Sequence, residues 1–467
     1  MPSFDGATSS ATRSPTPCRR PAQIPHRRAH PIGPPPESDA SRGIIVTVTS
    51  SRSRPARALL TLTALLALGL AACSEGPDRT SAAPASGGGA GAAAPPSTPA
   101  GPTGTALRVE TVAGDFANPW DLAFVGGDRM LVTQRDGSLS LVTGLGPGAR
   151  VTPVAADLAS VYARGEGGLM GIAAAPDVAT SGSFVTCQTH QEGGRPVDVR
   201  VVSWRLSPDG TRADRVQDPL VGGLPVNPSG RHSGCRPTFA PDGMLLVGTG
   251  DTARATIPQD RGSLGGKVLR IDPATGGPAP GNPFAASGSA AERLVSGYGH
   301  RNVQAVAIQP GTGRGWSAEH GPDIDDEVNV VIPGSNYGWD PAQGGESPGG
   351  YDESVPMTDL DRYPDAVPAA WSSGDPTEAI SGAAFLDGPA WGDMAGMLAV
   401  SAQKGEKLYF MRPGTGADEN RIVEVTVPPE LDGEFGRLRG ARLGPDGALY
   451  LTSDNGSDDV ILRVTRA

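Results

Sequence analysis

The sequence predicts an all-β chain folded as a six-bladed β-propeller, and three observations carry that expectation. Of 467 residues, 66 are Gly and 46 Pro, while only 37% are apolar, a composition of many turns and short strands rather than of helices. A turn rich in Gly, Asp or Pro, then a short apolar strand, then a polar loop recurs six times, at 124–137, 175–190, 240–251, 309–321, 385–405 and 444–455. These copies start 51–76 residues apart, and several are followed by a further strand (SLSLV, KVLRID, KLYFM, VILRVT). Strand–turn–strand units at such a period stack radially, each burying its faces against its neighbours, so six units read as six blades. Helical periodicity, the third observation, is nearly absent and is suggested only at 290–295. A two-sheet β-sandwich would use the same strands but would not account for the period.

Along the chain, residues 1–45 are rich in Pro and Arg with no apolar period, and read as an extension upstream of the true start. Arg52, Arg54 and Arg57 then precede an apolar run at 58–70 and the tetrapeptide Leu70-Ala71-Ala72-Cys73. A basic region, a short apolar region and small residues before a cleavage point make an export signal, too short to span a bilayer. Leu-Ala-Ala-Cys resembles the bacterial lipobox, which implies lipidation of Cys73; an ordinary signal peptide with an incidental Cys is the alternative. Residues 74–106 are low-complexity Ser, Ala, Gly and Pro, unable to bury enough apolar surface to order themselves, and read as a tether. The organisation expected is thus 1–72 extension plus signal, 73–106 tether, and 107–467 propeller. A leading strand at 107–112 is expected to complete the last blade and close the ring.

The formal charge is −11, but residues 1–72 carry nine Arg against three acids, so their removal leaves a chain of −17. Such a surface repels nucleic acid and anionic membranes, and nucleic-acid binding is set aside. Four Cys (Cys18, Cys73, Cys187, Cys235) exclude a disulfide-dense scaffold and form no metal-binding CxxC pair.

Chemistry is densest at 297–340, which holds His300, Arg301, Asn302 and His320, then Gly321-Pro322 followed by Asp323, Asp325, Asp326 and Glu327. Cationic donors beside carboxylates and exposed backbone carbonyls suit a site for an anionic ligand and a hard cation. Pro322 has no N–H and Gly321 lets the backbone turn, so both carbonyls can face a hard cation, although the spacing fails the EF-hand rule. His232, in a loop just before a strand, suits a general base, and Asp251, after the next strand, suits the role of orienting it. Lys404, Arg437 and Arg439 sit in later repeat loops, the last two at strand spacing. Converging with Arg301, they would make a pocket for a polycarboxylate. The later run Asp454-Asn455-Gly456-Ser457-Asp458-Asp459 reads as a plain turn, and no Gly-x-Ser-x-Gly nucleophile elbow is present.

Several phrases resemble one family. NPWDLAF (118–124), GEGGLMGIAAAPD (165–177), HSG (232–234), LGGKVLRID (264–272), GHRN (299–302), EHGPDIDDEVN (319–329), NYGWD (336–340) and GRLRGARLGPDGALYLTSD occur in order across 107–467. The chain thereby resembles the soluble pyrroloquinoline quinone (PQQ)-dependent glucose and aldose sugar dehydrogenases, the glucose/sorbosone dehydrogenase family, whose fold is a six-bladed propeller.

The resemblance implies His232 as general base toward the anomeric hydroxyl, Asp251 as its support, and Arg301 beside the reactive quinone oxygen. It implies Asn302, Lys404, Arg437, Arg439 and Glu166 as cofactor-binding. It further implies Gly321 and Pro322 as ligands of a catalytic Ca2+, with Glu327 and Tyr337 at a second, structural Ca2+ site. Glu166 stands where the glucose enzymes carry Gln, and Arg231 where they carry a sugar-contacting Asp, so glucose preference is not carried over. Cys235 stands at a usual Gly position; a disulfide with Cys187 and two buried free thiols are both open. The expectation is an exported, lipid-anchored (or periplasmic) monomer or dimer that oxidises aldose sugars at C1 to lactones and passes electrons to an acceptor. A propeller that only binds sugar or protein, and a metal-dependent lactonase, are the competing readings.

Overall fold

In a computed structural model that describes residues 106–344 and 350–467, the six repeats become six small antiparallel sheets. The predicted extension, export signal, Cys73 and the tether up to residue 105 lie outside the described residues. Each sheet is a meander whose first strand lies innermost: Pro119–Phe124, Leu169–Ala174, Gly234–Phe239, Val303–Ile308, Ile380–Phe385 and Leu438–Leu443 in blades 1 to 6. Each first strand packs against the first strand of the next blade, and the sixth packs against the first, so the ring closes. Every repeat window read in the sequence falls on the turn after an inner strand and on the second strand, such as Arg129–Gln134 or Leu449–Ser453.

The expected closing strand is present. Leu107–Phe116 pairs antiparallel with Asp459–Arg466, from Leu107 opposite Arg466 to Phe116 opposite Asp459, and forms the outer strand of blade 6. Blade 2 gains a fifth strand, Ala155–Ala156, which runs parallel to Arg212–Leu224. The helical stretch expected at 290–295 shrinks to a three-residue 3-10 turn, Glu292–Leu294. It is too short to have a helical face, and only Leu294 is buried.

Packing follows from the period-2 alternation of strands. Leu131 joins the cluster between blades 1 and 2, while its neighbours Met130 and Val132 join the cluster between blades 6 and 1. Leu449 and Leu451 face blade 5, and Tyr450 faces blade 1. Both faces of such strands are buried, which is why their sequences are continuous apolar runs. The core is therefore a ring of inter-blade layers rather than one central mass, and the axis is left to polar side chains.

At the blade 2–blade 3 layer, Cys187 and Cys235 form a disulfide between fully buried residues 48 positions apart. Closing a loop of that length is expected to contribute on the order of 2–4 kcal/mol. Cys187→Ser with Cys235→Ser should lower the unfolding free energy by about that amount in denaturant titrations of the oxidised protein, while the reduced wild type should match the double variant.

Candidate active site

In an antiparallel meander the start of the first strand and the end of the second lie at the same end of the blade. His232, Arg301, Asn302 and Arg437 directly precede inner strands or their first residues, Arg439 is the second residue of one, and Asp251, His320, Gly321, Lys404 and Asp454 follow second strands. Topology thus delivers all of these residues to one rim of the ring.

At the centre of the rim His232 is buried, with its backbone in the left-handed region at φ 48°. Its Nδ1 lies 2.7 Å from Oδ1 of Asp251. Asp251 is fully buried and accepts three further hydrogen bonds, from the Ala253 amide (2.8 Å), Trp339 Nε1 (2.9 Å) and the Tyr351 hydroxyl (2.7 Å). Burial alone would raise the Asp251 carboxyl, but the charge and hydrogen bond of His232, the Arg301 charge and the Tyr351 hydroxyl outweigh it and hold the carboxyl below its ordinary range. An ionised carboxylate can only accept, so Nδ1 carries a proton, and in the neutral imidazole Nε2 is then the nitrogen with the lone pair. No described residue bonds Nε2.

Glu166, in the loop before the blade 2 inner strand, ties blades together. One carboxylate oxygen accepts from the His232 amide (3.2 Å), the other from Asn302 Nδ2 (2.9 Å) and Gln304 Nε2 (3.2 Å). Burial works against its charge, yet His232, His320, the Asn302 hydrogen bond and Arg439 hold its carboxyl below the usual range. Asn302 also accepts from the Gly234 amide at 3.0 Å, fixing the turn after His232.

Arg301 is buried beside the Trp339 ring and donates to the His320 carbonyl (2.8 Å) and to Glu353 (2.7 Å). Among the described residues its Nε has no partner. Arg439 is buried against Trp120, pairs through Nε with Asp454 (2.6 Å), and has no described partner for Nη1. Arg437 spends Nε on the Asp454 carbonyl (3.1 Å) and Nη2 on Gln403 (2.8 Å), which links blade 6 to the residue before Lys404. Lys404 is exposed. Its amide donates to the Glu378 carbonyl at 3.0 Å.

Asp326 organises the Gly321–Pro322 turn. Its oxygens accept from the amides of Gly321 (2.8 Å) and Glu378 (2.6 Å) and from the Thr377 hydroxyl (2.8 Å). The Gly321 carbonyl takes a hydrogen bond from His320 Nδ1 at 2.6 Å, and among the described residues none donates to the Pro322 carbonyl. Glu327 faces Glu319 directly across the pair of strands. Burial and the Glu319 charge push the Glu327 carboxyl up to about 8. Tyr337 stacks on His300 and commits its hydroxyl to the Val330 carbonyl (2.7 Å) and the Ile332 amide (2.8 Å), leaving only main-chain oxygen for a metal. Among the described residues, no group of three His, Cys, Asp or Glu side chains stands ready to hold a metal ion.

Of the twelve residues given a catalytic, cofactor or metal role from the sequence, ten are brought to, or just beneath, this rim, while Glu327 and Tyr337 lie behind it in blade 4. Four more were not singled out. Tyr351, Trp339 and Glu353 come from the long connection between the third and fourth strands of blade 4, whose sequence has no period to place it. Asp454, expected to be an idle turn residue, is buried and anchors both Arg439 and Arg437. Two cations at strand spacing with an acid at the next strand end were the available signal.

Burial alone would raise the Asp454 carboxyl, but Arg439, Asn118 and Arg135 hold it below the ordinary carboxylate range. Its contribution to stability is therefore present above the unfolded pKa and lost as pH falls through the lower folded value. Asp454→Asn should remove that part of the acid-side slope in a Tm-against-pH series and leave the neutral-to-alkaline limb parallel to wild type.

Known proteins share the fold. The family profile described as Glucose / Sorbosone dehydrogenase matches residues 116–463. The aldose sugar dehydrogenase YliI of Escherichia coli K12 is 29% identical over 357 residues, covering 76% of this chain and 92% of that protein. The PQQ-bound aldose sugar dehydrogenase of Streptomyces coelicolor is 30% identical, with 78% of this chain and 99% of that one aligned at a TM-score of 0.61. The soluble aldose sugar dehydrogenase of E. coli, solved in the apo form, aligns over 78% of this chain and 100% of its own at 27% identity and a TM-score of 0.63.

Proposed function

The chain belongs to the glucose/sorbosone dehydrogenase family, and from that premise we propose that it is a PQQ- and Ca2+-dependent oxidoreductase that converts aldose sugars at C1 to lactones. The observation that supports this reading best is the His232 imidazole, held by a buried, ionised Asp251 with Nε2 free, at the same rim as Arg301.

The residues present fit a polycarboxylate quinone. Arg301 Nε and Arg439 Nη1 are buried donors without partners among the described residues, and Lys404 is exposed at the same rim. Anionic oxygens are what such donors lack. The Gly321 and Pro322 carbonyls, turned by Asp326, fit a hard cation that takes oxygen ligands. The facing Glu319 and Glu327 carboxyls fit a second cation, since a divalent ion there would remove their mutual repulsion. When bound, the quinone accepts the two electrons that leave sugar C1 with its hydrogen, and Ca2+ polarises it as a Lewis acid.

His232 Nε2 takes the proton of the anomeric hydroxyl. Asp251 maintains the tautomer that allows this and stabilises the imidazolium that results, while Tyr351 and Trp339 keep the carboxylate turned toward the ring. The Arg301 guanidinium, which stays charged, opposes negative charge developing at the centre of the rim. Glu166 fixes the His232 backbone relative to Asn302 and so sets the height of the base. Exposed Arg231, paired with Glu353, stands over the substrate side. Its charge favours sugars or acceptors other than those suited to an acid at that position. Export, lipidation at Cys73 and electron transfer to an extracytoplasmic acceptor complete the proposal; among the described residues no helix is long and apolar enough to cross a membrane.

Apo-protein loaded with PQQ and Ca2+ should oxidise at least one aldose in a dye-linked assay and show no turnover without the quinone. Chelation before loading should abolish activity, and added Ca2+ should restore it. Hydrolysis of lactones that persists without quinone would replace this reading by the hydrolase one. His232→Ala should bind quinone nearly as wild type, by spectral titration, while kcat falls roughly 10²–10⁴-fold; a near-normal kcat would remove His232 from the role of base.

A further inference from the structure

Beneath the rim, the first residue of the third strand of blade 3 carries a charge that the proposed chemistry does not use. Lys267 is fully buried. Its ammonium donates to three backbone carbonyls, of Ile257 (2.8 Å), Pro258 (3.0 Å) and Gly265 (2.6 Å). No carboxylate bonds it among the described residues; burial pulls the ammonium down to about 7, against the attraction of Asp260 and Asp251. Three donors meeting three carbonyls is a fully used ammonium, an arrangement that substitutes for a bound monovalent cation.

All three carbonyls belong to one segment, 251–266, which has no strand and consists of successive turns. That segment begins with Asp251, followed by Thr252 and Ala253 in the left-handed region at φ 57° and 53°. Non-Gly residues stay there only where surrounding contacts hold them. The same segment is tied to the Arg301 strand entry: the Gly299 amide donates to the Pro258 carbonyl (2.9 Å), the His300 amide to the Gly266 carbonyl (3.2 Å), and the Asp251 amide to the Arg301 carbonyl (2.7 Å). The Pro258 carbonyl thus takes both Lys267 and Gly299. The lysine itself is anchored by its pairing with Tyr298 across the third and fourth strands and by its amide, which donates to the Thr249 side-chain hydroxyl (3.0 Å), two residues before Asp251.

We propose that Lys267 is a positioning residue: its buried ammonium gathers the 251–266 segment into the one conformation that presents the Asp251 carboxylate to His232 and sets the distance of that pair from Arg301. The consequence for turnover rests on the function proposed above, whereas the consequence for the segment does not. Without the ammonium, the Ile257 and Gly265 carbonyls lose this donor and Pro258 keeps only the Gly299 amide, so the segment loses the group that joins its middle to its end, while single ties such as Gln259 to the Trp339 carbonyl remain. A displacement of about 1 Å at a catalytic group costs on the order of 10²-fold in rate.

The test uses Lys267→Ala, which leaves a cavity lined by the three carbonyls, and Lys267→Met, which keeps the stem and removes the charge. In apo-protein, amide hydrogen exchange at 251–266 and 299–302 should quicken at least tenfold in both variants, with 268–271 and blades 1, 5 and 6 unchanged. Ethylammonium chloride should return the exchange of Lys267→Ala toward wild type, while tetramethylammonium, which has no N–H, should not, and neither salt should alter Lys267→Met. In the quinone- and Ca2+-loaded enzyme, kcat of Lys267→Ala should fall about 10²-fold with KM within about threefold, and ethylammonium should recover it. Unchanged exchange in the segment overturns the proposal, as does loosening spread over all blades. Failure of both variants to fold also overturns it, by making Lys267 a requirement of the core. Exchange that behaves as expected in a protein that oxidises no sugar would retain the role for the segment and count against the proposed function instead.

Discussion

A single buried carboxylate organises the working end of this molecule. Asp251 has no exposure to solvent, yet four donors satisfy it: the His232 ring, the Ala253 amide, the Trp339 indole and the Tyr351 hydroxyl. An ionised group in such a place is tolerated only when paired and fully hydrogen-bonded. Each donor also does something for the site. His232 receives a defined tautomer, Ala253 begins the segment gathered by Lys267, and Trp339 with Tyr351 draws the long blade 4 connection across blade 3. Loss of any one would leave a charge whose desolvation is uncompensated, and so the geometry of the four is mutually enforced.

The rim around Asp251 balances its charges. Arg301, Arg437, Arg439 and Lys404 are set against Glu166, Glu353, Asp251 and Asp454. Among the described residues the pairings leave particular atoms without partners, Arg301 Nε and Arg439 Nη1. A chain that is acidic overall thus keeps cationic donors at this rim, each arginine anchored locally by a carboxylate or carbonyl. Further along the axis, Arg236 and Arg442 both contact Asp121, with Nη1–Oδ1 and Nη2–Oδ2 separations of 2.6 and 2.7 Å. Burial lowers Arg236 to about 10 against the attraction of Asp121, still far above neutral pH. The ring therefore places its polar side chains along the axis and its apolar ones between blades, the reverse of a globule with one central core.

How much of this was legible from the chain depends on the range of the interaction. Repeat turns, apolar strand runs and the closing strand at 107–112 are encoded by neighbours in sequence, because turn chemistry and period-2 burial act within a few residues. The blade count and the end of each blade on which the candidate residues gather follow from them. The site residues were found partly through chemistry and partly through a family resemblance that supplied correspondences between separate repeats. Asp454 was passed over because an acid in a Gly-Ser-rich run looks solvated until a second strand brings Arg439 to it. Tyr351, Trp339 and Glu353 were passed over because a long connection without a period does not say where it folds back. The stretch at 290–295 misled because alternation over six residues does not distinguish a helix from a single 3-10 turn.

The amino-acid order alone determined a ring of six antiparallel sheets, the identity of its closing strand, and a set of His, Arg, Lys and acidic residues at the mouths of the repeats. Those properties arise from local backbone preference and from strands buried on both faces. Only the tertiary structure decided which of those groups are paired and which are free, that Cys187 reaches Cys235, and that Lys267 meets three carbonyls of the segment that carries Asp251. Those are contacts between side chains and backbone held at fixed distances by separate strands and turns, and a hydrogen bond depends on a few tenths of an ångström that no pattern of residues along the chain records.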